Sequence, residues 1–121
     1  PIVSEIKGKS VVIIDDSIVR GTTSKRLVKI LRDSGAREIH FRSVSPPIIA
    51  PCFLGIDTPK KDDLIAANMT VEELKDYLGV DSLEFLSVPN LAKILGSENH
   101  CFGCFTEKYP VAKPKESELF N

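Results

Sequence analysis

The apolar residues of this chain fall into short blocks whose spacing changes along the sequence. Residues 11–14 are consecutive β-branched apolar residues, typical of a strand that is covered on both faces in a parallel sheet. Over residues 22–34 the apolar spacing is about 3.6 residues, which predicts a helix ended by Gly35. Residues 37–45 predict the next strand. Strand, helix and strand in this order indicate a parallel α/β unit, in which ligands bind at the carboxyl ends of the strands.

The second half of the chain predicts shorter elements. Several prolines in residues 45–60 predict an irregular loop, because proline cannot continue a helix or a central strand. Thr70 and Glu73 form a capping-box pattern at the start of a helix. The polar residues before Ser10 predict a turn. The remaining elements are predicted as a short helix at 62–67, a helix at 71–78, a short strand at 81–86, a helix at 88–95, a loop at 97–105 and a flexible tail at 112–121.

Two acidic residues end the first predicted strand, and a small polar turn follows them. Asp15 and Asp16 fall where the carboxyl end of the strand is expected. Backbone N–H groups, hydroxyls and a glycine that lead into a helix suit a phosphate, and here they come from Ser17, Gly21, Thr22 and Thr23. Carboxylates beside such a turn suit a ligand like ribose 5-phosphate, which has a phosphate and a diol. The plainer alternative is a pair of exposed acids followed by an ordinary Ser/Thr-rich helix cap.

Composition and charge exclude several classes of protein. The chain has 121 residues, of which 42% are hydrophobic, and this is enough for one domain with a modest core. Its net charge of −1 gives no indication of non-specific binding to nucleic acid or to a membrane surface. No apolar run approaches the roughly 20 residues that span a bilayer, and no signal or transit peptide is visible. The sequence therefore predicts a cytoplasmic protein that binds neither nucleic acid nor membranes.

The three cysteines form a second candidate site. An odd number of cysteines argues against a closed disulfide framework and is compatible with a reducing compartment. Cys101 and Cys104 form a C-x-x-C motif, which places two thiolates within reach of one metal ion or cluster, and Cys52 lies upstream. The alternatives to a metal cluster at these cysteines are a zinc site and a disulfide within the C-x-x-C motif.

The run VVIIDDSIVRGTTS, at residues 11–24, resembles the phosphoribosyl pyrophosphate (PRPP) motif of the type I phosphoribosyltransferases. More closely, it resembles the motif of the glutamine PRPP amidotransferases. Other stretches match the same family in order: SPPIIAPCFLGIDTP, LIAANMTVEELKDYLGVDSLEFLSV and CFGCFTEKYPV. The resemblance covers nearly the whole chain. It implies an α/β fold with the parallel, Rossmann-like sheet of a type I phosphoribosyltransferase, incomplete, with a helical and cysteine-containing extension at the C-terminal end.

The resemblance also implies roles for individual residues. Asp15 and Asp16 would bind the ribose hydroxyls and Mg²⁺, and the 5-phosphate would lie against the turn. The implied PRPP-binding residues are Asp15, Asp16, Ser17, Gly21, Thr22 and Thr23. No catalytic residue is assigned, because the family's glutaminase begins with a nucleophilic cysteine and residue 1 here is proline.

The cysteine segments, at residues 51–54 and 100–105, carry a further implication of the resemblance. Cys52, Cys101 and Cys104 match ligands of the [4Fe–4S] cluster that one branch of the family carries. The fourth ligand would lie outside this chain. The implied cofactors are therefore Mg²⁺ and, in the intact enzyme, a [4Fe–4S] cluster.

The activity that the resemblance implies is the first step of de novo purine biosynthesis. Ammonia from glutamine would be transferred to PRPP, giving 5-phosphoribosylamine, pyrophosphate and glutamate. The implied partners are PRPP, glutamine or ammonia, purine nucleotides as feedback inhibitors, the N-terminal glutaminase region and identical subunits of a homo-oligomer, often a tetramer. Residues 1–121 are expected to form the C-terminal part of a phosphoribosyltransferase domain that is inactive alone. The alternatives are a non-catalytic PRPP-binding regulator and a metal-binding interaction module.

Overall fold

Three parallel strands form the centre of the structure, a computed structural model that describes residues 2–97 and 99–112. The strands are β1 (Ser10–Asp15), β2 (Glu38–Ser43) and β3 (Ser82–Phe85), and they are paired in the order β1-β2-β3. The helices are α1 (Val3–Ile6), α2 (Thr22–Asp33), α3 (Ile65–Asn68), α4 (Val71–Leu78), α5 (Val88–Leu95) and α6 (Gly103–Thr106), with one turn of 3₁₀ helix at Lys61–Asp63. The α/β architecture with a parallel sheet is as predicted.

One face of the sheet carries the hydrophobic core. The parallel register places Ile13 of β1 beside Phe41 of β2, and Phe41 beside Leu83 of β3. Because successive strand residues point to opposite faces, these three side chains lie on the same face. The apolar sides of α2 and α4 pack against them through Val28, Leu31, Leu74 and Leu78. The core therefore holds together all three strands and the two helices.

The prediction that β1 is covered on both faces is wrong. Val12 and Ile14 are 59% and 71% exposed. Ile13 points to the opposite face, where α2 and α4 pack, and no element of the described chain covers Val12 or Ile14. A run of β-branched residues favours a strand on steric grounds alone, so it does not tell which faces are covered.

Most predicted elements are confirmed to within a few residues, and two short helices were missed. The lead-in before β1 contains α1, a single turn closed by a hydrogen bond from the Lys7 N–H to the Val3 carbonyl at 2.9 Å. The predicted loop at 97–105 contains most of α6. Both helices have four residues, too few to show a helical period in the sequence. The predicted tail lies outside the described residues except for Ala112.

The carboxyl ends of β1 and β2 are held side by side. The Val44 N–H donates to the Asp15 carbonyl at 2.9 Å and so continues the ladder past the last paired residues. The chain leaves both strands at this edge of the sheet, where a ligand is expected in a parallel α/β fold. In residues 2–97 and 99–112 no helix combines the length and apolar character needed to cross a membrane.

Candidate functional site

An open cavity of about 530 Å³ lies at the carboxyl end of β1. Its wall is formed by Asp15, Asp16, Ser17, Val19, Arg20, Gly21, Thr22, Thr23, Ser24, Asp57 and Pro59. All six residues expected to bind PRPP therefore lie on one surface. The structure brings the carboxylate pair and the polar turn together, as the sequence interpretation requires.

The turn between β1 and α2 is shaped by packing beneath the cavity. Ile18 is 1% exposed and belongs to the hydrophobic core, so it anchors the turn from below. The Val19 carbonyl accepts a hydrogen bond from the Ile65 N–H at 2.9 Å. Gly21 has φ +73°, and a Cβ at this position would lie 2.7 Å from the Ile65 Cδ1. The backbone conformation and the neighbouring side chain therefore both favour glycine here.

No side chain caps the N-terminus of α2, which begins at the cavity. Gly21 is the N-cap residue, and the first helical hydrogen bond runs from the Lys25 N–H to the Gly21 carbonyl at 2.8 Å. Thr22 and Thr23 are exposed and line the cavity. The alternative of a Ser/Thr-rich cap is therefore wrong for this helix. The N-terminal amides and the positive end of the helix dipole are available to an anion.

The two acids at the end of β1 make local hydrogen bonds and keep free acceptor capacity. The Asp15 Oδ1 accepts from the Asp16 N–H at 3.0 Å, and the Asp16 Oδ1 accepts from the Ser17 hydroxyl at 3.1 Å. Each carboxylate can accept several further hydrogen bonds, because each oxygen has two lone pairs. Asp16 is exposed and Asp15 is half-buried, so both can reach a ligand in the cavity.

The charges on the cavity wall bear on whether Mg²⁺ fits. Asp15, Asp16 and Asp57 are the acids of the wall, and Arg20 is its base. The Arg20 guanidinium also forms an ion pair with Asp63, with 4.0 Å between the Arg20 Nη2 and the Asp63 Oδ2, so part of its positive charge is already balanced. An anionic sugar phosphate would therefore need a cation here. Because Mg²⁺ is commonly held by one or two carboxylates together with substrate phosphates, Asp15 and Asp16 fit that mode of binding.

Asp57 and Pro59 are wall residues that the sequence interpretation missed. They lie in a loop whose base is closed by a hydrogen bond from the Cys52 N–H to the Thr58 Oγ1 at 2.6 Å. They stand more than thirty residues from the PRPP motif, and periodicity gives no information about an irregular loop. The only sequence signal was that the stretch GIDTP belongs to a segment shared with the amidotransferase family.

The cysteine segments are joined by backbone contacts. The Cys104 carbonyl accepts hydrogen bonds from the N–H groups of Ile49 and Ala50, at 2.9 and 3.1 Å. Burial raises the pKa of the Cys104 thiol, and the nearby sulfurs of Cys52 and Cys101 raise it further. All three cysteines are free thiols, so the alternative of a disulfide within the C-x-x-C motif is not observed.

Two of the sulfurs accept weak hydrogen bonds from nearby amides. The Leu54 N–H donates to the Cys52 Sγ at 3.4 Å, and the Gly103 N–H donates to the Cys101 Sγ at 3.5 Å. Such bonds are common around metal-bound thiolates. However, in the part of the chain that the structure describes, no group of three or more His, Cys, Asp and Glu side chains is placed to hold a metal ion. A [4Fe–4S] cluster takes four ligands, so the residues present do not complete its site.

Comparisons with known proteins bear on the family and the fold of the chain. No protein-family model matches the chain. Amidophosphoribosyltransferase 2, chloroplastic, of Arabidopsis thaliana is 52% identical in an alignment of 121 positions that covers 98% of this chain and 21% of that protein. The structure of glutamine PRPP amidotransferase from B. subtilis, complexed with ADP and GMP, superposes with a TM-score of 0.87 at 46% identity, over 95% of this chain and 27% of that one.

A second solved structure, described as the allosteric regulatory enzyme of purine biosynthesis, gives a TM-score of 0.88 at 45% identity, over 98% of this chain and 27% of that chain. The chain thus spans between about a fifth and just over a quarter of the length of these relatives. The predicted fold class is confirmed as a partial phosphoribosyltransferase fold. The resemblance found in the sequence is likewise confirmed: the chain is homologous, over nearly all of its length, to one segment of the amidophosphoribosyltransferases.

Proposed function

We propose that the protein to which this chain belongs is an amidophosphoribosyltransferase. It transfers ammonia from glutamine to PRPP and produces 5-phosphoribosylamine, pyrophosphate and glutamate, the first step of purine biosynthesis. The observation that carries the proposal is that Asp15 and Asp16 line the same cavity as the uncapped start of α2. The relatives named above support the reaction class.

Different residues of the cavity bind different parts of PRPP. The amides of the turn and the hydroxyls of Ser17, Thr22 and Thr23 bind the 5-phosphate, because the helix N-terminus favours negative charge. Asp15 and Asp16 accept hydrogen bonds from the ribose 2- and 3-hydroxyls. Mg²⁺, when bound, offsets the charge of the pyrophosphate and makes it a better leaving group. Displacement at the anomeric carbon develops positive charge on the sugar, which nearby carboxylates stabilise.

The test is PRPP binding by the complete polypeptide that contains this chain. We expect Asp15→Asn and Asp16→Asn each to weaken binding of PRPP, in the presence of Mg²⁺, by about tenfold or more, since each removes a charged acceptor worth about 1.5–3 kcal/mol. The matched control is Asp76→Asn, an exposed acid on α4 that lies outside the cavity. Titration calorimetry measures the dissociation constants. Unchanged affinity in both cavity variants would exclude this site.

The 121-residue chain alone is proposed to bind PRPP weakly and not to turn over. The cavity is open in the described residues, and a reactive sugar cation must be protected from water. The measurement is steady-state formation of phosphoribosylamine from PRPP and ammonia by this chain. Clear turnover would contradict the expectation.

The proposal includes a [4Fe–4S] cluster in the complete protein, with Cys52, Cys101 and Cys104 as three of its ligands and the fourth from elsewhere in the polypeptide. Its support is the backbone contact between the cysteine segments and the amide hydrogen bonds to two of the sulfurs. Iron and sulfide analysis of the complete protein tests it, and Cys52→Ser should lower both contents.

The remaining partners follow from the same assignment. We propose a cytoplasmic homo-oligomer, a tetramer when complete, with glutamine as the nitrogen source and purine nucleotides as feedback inhibitors. The B. subtilis relative was solved with ADP and GMP, which supports nucleotide regulation. The plant relative argues against a cytoplasmic location, because its name places it in the chloroplast. Sedimentation of the complete protein with and without GMP tests the oligomer and the nucleotide together.

A further inference from the structure

Asp57 is the acid on the cavity wall to which the proposed binding roles assign nothing. It is exposed and lies on a different segment from the PRPP motif. Among residues 2–97 and 99–112 no hydrogen bond or ion pair engages its carboxylate. A carboxylate that faces a ligand cavity without a protein partner has its full acceptor capacity available to the ligand.

The loop that carries Asp57 is tied at both ends. The Thr58 Oγ1 accepts the Cys52 N–H at 2.6 Å. Just before this closure, the Pro51 carbonyl accepts a hydrogen bond from the Tyr109 hydroxyl at 2.6 Å, and the Phe53 ring lies 4.4 Å from the Tyr109 ring, measured between centroids. The two ends of the loop that carries Asp57 are therefore held by contacts outside the cavity.

Charge decides which part of the reacting system Asp57 can face. Beside the pyrophosphate or the 5-phosphate it would be repelled, because like charges at close range cost energy. The ribose hydroxyls are assigned to Asp15 and Asp16. The attacking nitrogen is the component that remains, and it suits a carboxylate because its N–H groups are donors and it becomes positively charged as it bonds to carbon.

We propose that Asp57 orients the attacking ammonia and accepts its proton, a role that rests on the proposed function. Asp57 accepts a hydrogen bond from one N–H of ammonia and so directs the nitrogen lone pair at the anomeric carbon. The lone pair forms the C–N bond while the bond from that carbon to the pyrophosphate oxygen breaks, and its electron pair leaves with the pyrophosphate. One proton of the resulting ammonium group passes to the Asp57 carboxylate and from there to water. Asp57 is thus a catalytic residue that does not bind the sugar.

The test separates nitrogen transfer from PRPP binding in the complete polypeptide. For Asp57→Asn we expect kcat with saturating ammonia to fall by about 100-fold, the usual contribution of a positioned proton acceptor. The dissociation constant of PRPP should stay within about twofold, because the lost interaction is made with the other reactant. Asp57→Glu should recover part of kcat, since it restores a carboxylate. Asp62→Asn, in the neighbouring 3₁₀ turn and outside the cavity wall, is the matched control and should leave both values unchanged.

Three results would overturn the proposal. An unchanged kcat in Asp57→Asn would show that the carboxylate takes no part in the reaction. A loss of PRPP affinity equal to that of Asp15→Asn would show that Asp57 binds the substrate or its cation. Both results leave the proposed function standing. If the unsubstituted protein neither binds PRPP nor forms phosphoribosylamine, the proposed function fails and the role of Asp57 fails with it.

Discussion

At the scale of single residues, Gly21 gives the cavity its shape. Its left-handed backbone conformation costs other residues about 1–2 kcal/mol, and a Cβ would press on Ile65. We expect Gly21→Ala to lower the free energy of unfolding by about 1–2 kcal/mol and to weaken PRPP binding by about tenfold or more, because the turn must move. Urea denaturation and calorimetry measure the two effects.

Gly79 offers a matched control for that substitution. It has φ +74°, nearly the same conformation, but a Cβ there would meet no atom within 4 Å, and it lies outside the cavity. Gly79→Ala should cost similar stability and leave PRPP affinity unchanged. Equal losses of affinity in the two alanine variants would mean that the shape of the turn is not what binding requires.

Asp81 makes the stability of the fold depend on pH. A hydrogen bond from the Ile39 N–H at 2.7 Å, assisted by the Arg32 guanidinium at 2.6 Å, holds the pKa of Asp81 below its ordinary value of 3.8. Because the folded pKa is the lower one, this stabilisation is complete above pH 3.8 and is lost as the pH falls through the folded-state value.

We expect Asp81→Asn to be less stable than the unsubstituted chain at neutral pH, by about 1 kcal/mol for a charged hydrogen bond that is partly exposed. The difference should begin to shrink below pH 3.8, where the unfolded chain takes up a proton, and it should vanish once the pH is below the lower folded-state pKa of Asp81. Thermal unfolding across pH 2–7 measures it, with Asp76→Asn as the exposed control. A constant difference at every pH would show that the Asp81 charge is not responsible.

The sequence identified the residues of the PRPP motif but not how they are held. Asp15 and Asp16 could be placed at the cavity because an acid pair that directly follows a strand of a parallel sheet lies at the carboxyl edge of that sheet. Asp57 could not be assigned, because its position depends on the Thr58 hydrogen bond and on contacts with Tyr109. Such contacts join residues far apart in the chain and leave no periodic signal.

At the scale of elements, the helices differ in how they begin. The Thr70 Oγ1 accepts the Glu73 N–H at 3.3 Å, and the Glu73 carboxylate accepts the Thr70 N–H at 2.8 Å, which completes a capping box on α4. The Ser87 hydroxyl caps α5 in a simpler way. Of these helices and α2, it is α2, at the cavity, that lacks a side-chain cap. Its free amides are the part of the fold that a phosphate would satisfy.

The capping box makes a prediction about stability alone. Thr70→Ala should lower the free energy of unfolding by about 1 kcal/mol, because the Glu73 N–H loses the hydroxyl that accepts its hydrogen bond and the capping box is broken. Thr70→Ser keeps the hydroxyl and should behave like the unsubstituted chain. Urea denaturation measures both variants, and PRPP affinity should not change in either. Equal stability of the alanine and serine variants would remove the hydroxyl from the explanation.

Predictability at this scale follows element length and local chemistry. The helices α2, α4 and α5 were predicted because each has eight or more residues and ends near a glycine. The single-turn helices α1 and α6 were not predicted, because four residues are too few to show a helical period. The exposure of one face of β1 was not predicted either. Whether a strand face is covered depends on the elements packed beside it and not on the residues of the strand itself.

At the scale of the whole molecule, the sheet has one bare apolar stripe. Val12 and Ile14 lie on it, on a strand that pairs only with β2 in the described residues. Exposed apolar residues on an edge strand favour association between copies. We expect the 121-residue chain to associate as its concentration rises, and Ile14→Lys to reduce this without loss of stability, because Ile14 buries little in the folded chain.

Sedimentation velocity over a range of concentrations measures the association. Ile94 is a suitable control, because it is equally exposed, at 71%, but lies on helix α5. Ile94→Lys should leave the association of the chain unchanged. If the two lysine variants behave alike, general hydrophobicity and not the strand edge drives the contact.

The burial of Ile18 has a consequence for how the cavity receives its ligand. A turn whose central side chain is part of the core changes its shape only when the core opens, so it should keep one backbone conformation before any ligand arrives. On the proposed function, little conformational entropy would be lost when the sugar phosphate binds, because the turn is held in one shape before binding. The turn proposed to bind the phosphate is therefore preorganised when the chain folds.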